Sequence, residues 1–278
     1  MWLHKLRQGL FPRSLKIGLS SRFVYVLGAN GTSGAQIHLP CDSHLGSPGE
    51  PWFAAVKTLS AWLKEQGDQS LRLQIALSGR FSRWQVVPWQ DELSSPQERQ
   101  SFATLRYRDI FGAVAEQWNV KLSAMPPGRS TPACAVDQGL IDALLAECGS
   151  SRVRIDLIAP YFSLAFDHWK HQLKGNSCWF ALLEDDCLSL GLLDKGQWLS
   201  LRSQRLDGDW RAQLPAMMTQ SGIASELQDQ AASLYLAGDL VAPPLPLSPS
   251  GPRFDWLAPR GYAQGVSAQP GLRLALGI

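Results

Sequence analysis

Cys178-Trp-Phe-Ala-Leu-Leu183, Glu184-Asp185-Asp186, Cys187-Leu-Ser-Leu-Gly-Leu-Leu193, Asp194-Lys195-Gly196, Gln197-Trp-Leu-Ser-Leu-Arg202 is the stretch that decides the fold. Three apolar runs of strand length, separated by two short polar turns, make an antiparallel meander, and Asp-Lys-Gly is a hairpin signal. A second copy lies upstream. Residues 14–39 read Ser-Leu-Lys-Ile-Gly-Leu, Ser20-Ser21, Arg-Phe-Val-Tyr-Val-Leu, a turn through Asn30-Gly31, then Gly-Ala-Gln-Ile-His-Leu. Two copies of one meander, each followed by helices, predict an internally duplicated α/β protein.

At 278 residues the chain is long enough for two lobes with cores that need no metal or disulfide staples. Its hydrophobic content of 45% and net charge of +2 exclude disorder and give no sign of a nucleic-acid partner. The apolar runs are broken by a charge or a glycine well short of the roughly 20 residues that span a bilayer. The first residues are basic but lack the uninterrupted apolar stretch of a secretory signal, and Trp2, Leu3, Leu6 and Leu10 suit one face of a short amphipathic helix. None of the five cysteines falls in a Cys-x-x-Cys pair; Cys134, Cys148 and Cys178 sit in apolar runs, as buried reduced thiols do.

Between the meanders, a helix is predicted over Pro48–Gln66, then strands over Leu71–Leu77 and Arg83–Val87 joined by a turn at Ser78-Gly79-Arg80-Phe81. Ser95-Pro96-Gln97-Glu98 is a capping box for a long helix with Ala103, Tyr107, Ile110, Phe111, Val114 and Trp118 on one face. Strands follow at Asn119–Ala124 and Pro132–Val136, a helix capped by Asp137, a strand at Arg152–Ile158 and a helix opened by Pro160. After the second meander come helices from Asp209 and over Glu226–Ala232, and a buried strand in Leu234–Asp239. From Ala242 the texture is proline-rich and aperiodic, as in a linker or tail. That tail carries one island, Phe254-Asp255-Trp256-Leu257-Ala258-Pro259-Arg260, and an apolar end at Gly271–Ile278 that suits a terminal strand.

Leu77–Trp89, Ala133–Asp137 and Phe180–Arg202, in this order of elements, resemble the actin-like proteins of type IV pilus assembly (PilM) and the cytoplasmic part of the type II secretion protein GspL. The resemblance implies an actin-like, duplicated ribonuclease-H-like fold. A first lobe would occupy residues 1–158, with a subdomain inserted at about 90–135. A second lobe would occupy 159–242, and 243–278 would be the tail. It also implies a non-enzymatic scaffold, peripheral on the cytoplasmic face of the inner membrane, bound to the cytoplasmic tail of a PilN-like bitopic protein, with an assembly ATPase and self-association as further contacts. GspL would continue into a membrane helix, so the chain is expected either to be soluble like PilM or to stop short of such a helix. The island Phe254, Asp255, Trp256, Leu257, Pro259 and Arg260 resembles the partner's docking peptide, carried in cis.

In nucleotide-binding proteins of that fold each meander's first turn holds phosphate, through backbone N–H groups and carboxylates that act through magnesium. Here Gly18, Ser20 and Ser21 form a first turn without an aspartate, and Glu184, Asp185 and Asp186 form a second without a glycine. A like-charge contact at about 4 Å costs on the order of 4 kcal/mol at an effective dielectric near 20. Three carboxylates therefore argue against ATP as a cofactor without a compensating metal such as magnesium. Gly238, in Leu236-Ala237-Gly238-Asp239, is one glycine where the adenosine side usually has two or more. The degenerate nucleotide site is thus Gly18, Ser20, Ser21, Glu184, Asp185, Asp186 and Gly238, with no catalytic residue and no metal; an ATP-binding enzyme of the sugar-kinase kind is the alternative. Gly28-x-x-Gly31-x-x-Gly34 reads as an ordinary hairpin, and His168 with His171 as a solvated helix face.

Overall fold

The computed structural model describes residues 12–28, 36–42, 50–149, 152–224, 233–238, 254–257 and 272–277. Strands β1 (Arg13–Leu19), β2 (Phe23–Gly28) and β3 (Ile37–Pro40) form the first meander; β4 (Leu71–Leu77) pairs parallel to β1. After β5–β7, described below, β8 (Val153–Pro160) completes a sheet of order β3-β2-β1-β4-β8. The second meander is β9 (Ser177–Leu183), β10 (Cys187–Asp194) and β11 (Gln197–Arg205), joined by β12 (Ser233–Gly238) and β13 (Phe254–Trp256) in the order β11-β10-β9-β12-β13. The two orders match strand for strand, so the duplication read from the meanders extends over both sheets. The Lys195-Gly196 turn has φ of 48° and 75°, the left-handed pair that a two-residue hairpin loop requires.

Helix α1 (Phe53–Glu65) buries Val56, Leu59 and Leu63 on the first sheet's core. The chain then leaves that sheet through a 3-10 turn at Gly79–Phe81. The inserted subdomain starts there, earlier than the expected 90: β5 (Ser82–Val87) pairs with β7 (Thr131–Asp137), not with β4, in a sheet of order β5-β7-β6 with β6 (Trp118–Leu122). Its helix α2 (Pro96–Phe111) has the full capping box. It is shorter than its apolar spacing suggested, because Gly112 turns the chain at φ 75° into a 3-10 segment; Val114 is left exposed and Trp118 opens β6. Tyr107 anchors a separate small core with Ala103, Val120 and Ala133, its hydroxyl 2.8 Å from the carbonyls of Arg83 and Ala133. Helix α3 (Gln138–Cys148), capped by Asp137, leads back into β8.

Helices α4 (Tyr161–Trp169), α5 (Trp210–Ala224) and α6 (Leu272–Leu276) complete the described elements. Phe162 and Phe166 of α4 lie on the second sheet, with ring centroids 5.4 Å from Phe180 and 4.6 Å from Trp198 respectively. In return α6 lies on the first sheet, burying Leu274 and Ala275 against Gly18. Each lobe's closing helix therefore covers the other lobe's first strand.

This corrects the expected boundary at 242. Phe254–Trp256 is the fifth strand of the second sheet, parallel to β12, and α6 is a helix where a terminal strand was expected. Leu-Arg-Leu-Ala-Leu alternates with a period of two, yet the segment is a helix packed on β1 from which the buried Arg273 donates to the carbonyl of Gly238. The amphipathic N-terminal segment, the glycine hairpin at 29–35, the helix over 226–232, Asp239, the proline-rich stretch to 253, and Pro259 with Arg260 lie outside the described residues.

Candidate functional site

The tips of the two meanders meet between the lobes. In the first turn, Ser20 is consumed locally: its hydroxyl accepts from the Phe23 N–H at 3.0 Å and lies 3.0 Å from the Phe23 carbonyl. Ser21 faces the other lobe, donating to Asp186 Oδ2 at 2.8 Å. Arg22 reaches Asp185 Oδ2 at 2.6 Å, and this carboxylate holds its guanidinium above the ordinary arginine value.

Each acid of the second turn finds a first-lobe partner. Glu184 Oε1 accepts the backbone N–H of Gly79 at 2.8 Å, and Arg80 Nε lies 3.6 Å from Asp186 Oδ2. The carboxylates that were expected to repel a phosphate are instead matched by Arg22, Arg80, Ser21 and Gly79. Their weights differ. The Arg22–Asp185 pair is 61% and 52% exposed, so it contributes about 0–1 kcal/mol. Glu184 is only 4% exposed, and a hydrogen bond to a buried charge contributes about 1.5–3 kcal/mol. Cys187 lies beneath, its thiol pushed well up by burial first and by Glu184 and Asp186 second.

Gly18 and Gly238 serve packing. A Cβ on Gly18 would stand 2.7 Å from the Ala275 N of α6. Gly238, at φ 103°, would drive one into the Leu183 carbonyl at 2.0 Å, and its own carbonyl accepts from Arg273. Of the residues assigned from sequence, the structure thus brings together Ser21, Glu184, Asp185 and Asp186, and turns Ser20, Gly18 and Gly238 to other work. Phe254, Asp255, Trp256 and Leu257 are in or beside β13, with the Leu257 N–H bonded to Leu236 O at 2.8 Å. The sequence reading missed Arg22, Gly79, Arg80 and Arg273. The basic residue after Ser20-Ser21, set against an acidic second turn, was the available signal for Arg22.

The Ser21 hydroxyl and the Gly79 N–H are engaged by Asp186 and Glu184. Among the described residues no group of three or more His, Cys, Asp or Glu is placed to hold a metal, and His168 and His171 are exposed. Among them, too, no helix is long and apolar enough to cross a membrane.

No protein-family model and no curated protein matches the chain. Solved structures do. The PilM–PilN type IV pilus biogenesis complex aligns at TM-score 0.61 and 14% identity over 95% of this chain and 96% of that one. The cytoplasmic domain of EpsL, an inner-membrane component of the type II secretion system of Vibrio cholerae, aligns at 0.55 and 11%, over 95% and 93%. A Bacteroides thetaiotaomicron protein with actin-like ATPase fold and unknown function aligns at 0.57 and 14%, over 84% of each. At these identities the likeness is one of fold: this is a two-lobed, actin-like protein.

Proposed function

We propose that the chain is a non-enzymatic actin-like scaffold on the cytoplasmic face of an inner-membrane type IV pilus or type II secretion platform. It would sit peripherally at the membrane and hold the cytoplasmic tail of a PilN-like bitopic protein, with an assembly ATPase and further copies of itself as neighbours. One observation carries the loss of nucleotide chemistry: the two turns that would hold phosphate are engaged with each other through Ser21–Asp186 and Arg22–Asp185, while Gly79, just after β4, donates to Glu184. The platform itself is supported by the fold shared with the PilM–PilN complex and with the EpsL cytoplasmic domain along 95% of this chain.

Thermal unfolding with MgATP tests the first half. A ligand at about 100 times its dissociation constant adds about 2.7 kcal/mol, a rise of several degrees in a chain of this size. The scaffold reading expects an unmoved midpoint at millimolar MgATP. A clear rise would restore the ATP-binding enzyme. For the second half, the full chain immobilised on beads and exposed to solubilised inner membranes should retain a single-span protein with a short cytoplasmic tail. Retention of none would remove the platform.

A further inference from the structure

β1, β4 and β8 run parallel, so their first residues lie together along one edge of the first sheet, at the end opposite Ser21 and Gly79. The register sets Arg13 level with Leu71 and Val153, and Arg72 directly beside Arg154; Arg152 comes one residue before Val153. Four arginines therefore stand within one residue of the same level on three neighbouring strands.

Their counter-charges are fewer. Asp156 is shared, its carboxylate 2.6 Å from Arg72 Nε and 3.1 Å from Arg154 Nε, and Arg152 pairs with Asp68. Arg13 is exposed and makes no ion pair among the described residues. Lys64 and Glu65, at the end of α1 that leads into β4, balance each other, and Glu147 is taken by Lys57 at 2.7 Å. Like charges directly opposite on neighbouring strands are destabilising, and the one carboxylate of Asp156 cannot neutralise both guanidiniums. The edge is left with an excess of positive charge that draws anions.

The sequence that leads into this edge has the same sign. Residues 1–41 hold five of the 26 lysines and arginines and none of the 24 acids. Trp2, Leu3, Leu6 and Leu10 recur at helical spacing, with Lys5 and Arg7 among them, shortly before β1 starts at Arg13. An apolar stripe with a tryptophan and flanking cations is the composition of a segment that lies in a membrane interface, its cations at anionic headgroups. The arginines suit a surface better than one compact anion. Strand alternation puts Arg13 on the face opposite Arg72 and Arg154, and strands about 4.8 Å apart spread these cations over about 10 Å. Arg154 is 79% exposed, and the apolar Leu157 beside it on β8 is 42% exposed. An acidic protein would satisfy the arginines but leave the stripe of residues 2–10 without a use. We propose that this edge of the first lobe, with the residues leading into β1, lies on an anionic lipid surface. It rests on the scaffold reading, and names the face that the scaffold turns to the membrane.

Co-sedimentation of the full chain with vesicles tests it, using phosphatidylcholine with about one-third phosphatidylglycerol against phosphatidylcholine alone. The chain is expected to pellet with the anionic vesicles at least about tenfold more tightly, and to be released by salt at about 0.5 M. The double variant Arg13→Gln, Arg154→Gln should lose at least about tenfold in affinity, at about fivefold per cation. It should keep the parent's circular dichroism and melting midpoint, since both side chains are exposed and Asp156 retains Arg72. Leu6→Gln should weaken the same binding through the apolar stripe. No pelleting, equal pelleting with phosphatidylcholine alone, or unchanged binding by either variant would overturn the proposal. So would release by millimolar inorganic phosphate, which would mark a site for one small anion, or tighter binding to polyglutamate than to the anionic vesicles, which would mark an acidic protein. The bead experiment separates the two levels of inference: a single-span protein retained by a chain that ignores vesicles keeps the scaffold and removes this edge, and vesicle binding without such retention does the reverse.

Discussion

Glu184 of the second lobe accepts a hydrogen bond from the backbone N–H of Gly79 in the first, at 2.8 Å, through a carboxylate only 4% exposed. A buried carboxylate is tolerated only when hydrogen-bonded, and here the donor is a main-chain group that no side-chain substitution removes. Glu184→Ala should therefore strand that N–H and lower unfolding stability by about 1–3 kcal/mol in urea titration. Glu184→Gln, which keeps an acceptor oxygen, should lose less. Equal stability of parent and the alanine variant would mean that the clasp contributes nothing.

The C-terminal helix supplies a second test, because a removable tail and a closing element behave differently. Leu274 is 2% exposed on β1, so Leu274→Ala should cost about 2–5 kcal/mol. Gly18→Ala attacks the same contact from the other side, its Cβ meeting the Ala275 N at 2.7 Å and the Leu274 Cγ at 3.0 Å. Both changes act by lifting α6, so the pair should lose less than the sum of the single variants. Additive losses would show that α6 and β1 are not coupled.

The parts legible in the sequence are those whose information is local. The meanders announce themselves through apolar runs of strand length and turn residues such as Lys195-Gly196, and the capping box of α2 lies within four residues. β13 was not legible, because three residues in a proline-rich context carry no period and their reason for being a strand is β12, distant in the chain. α6 failed likewise, its alternating pattern overridden by burial against Gly18. At the site, the acidity of 184–186 was plain, but its neutralisation by Arg22 and Arg80 spans over a hundred residues of sequence and exists only once the lobes are docked.

All five cysteines are free thiols, and their surroundings predict low reactivity. Burial pushes Cys41 up to about 11, and Cys134 and Cys148 up to about 12. The thiolate is the nucleophile, so an aromatic disulfide reagent at about pH 8 should react slowly with the native protein. In guanidinium chloride all five should react at the rate of free cysteine. A fast native-state phase amounting to one thiol would identify a site that is open in solution.

The capping box gives a pH-dependent test with a defined sign. Ser95 Oγ accepts the Glu98 N–H at 3.1 Å, while Glu98 Oε2 accepts the N–H groups of Ser94 and Ser95 at 2.8 and 2.9 Å. These donors, with the Ser95 N–H foremost, hold the Glu98 carboxyl below its usual 4.5. A carboxylate depressed in the folded state stabilises above the unfolded value and loses that contribution as pH falls through the folded one. The melting midpoint of the parent should thus exceed that of Glu98→Gln by a constant margin from about pH 7 down to about pH 5, and the margin should shrink as pH falls below the unfolded value of about 4.3. Ser95→Ala, which removes the other half of the box, should cost about 1 kcal/mol at neutral pH. A margin that stayed constant into acid would show that the Glu98 charge plays no part in starting α2.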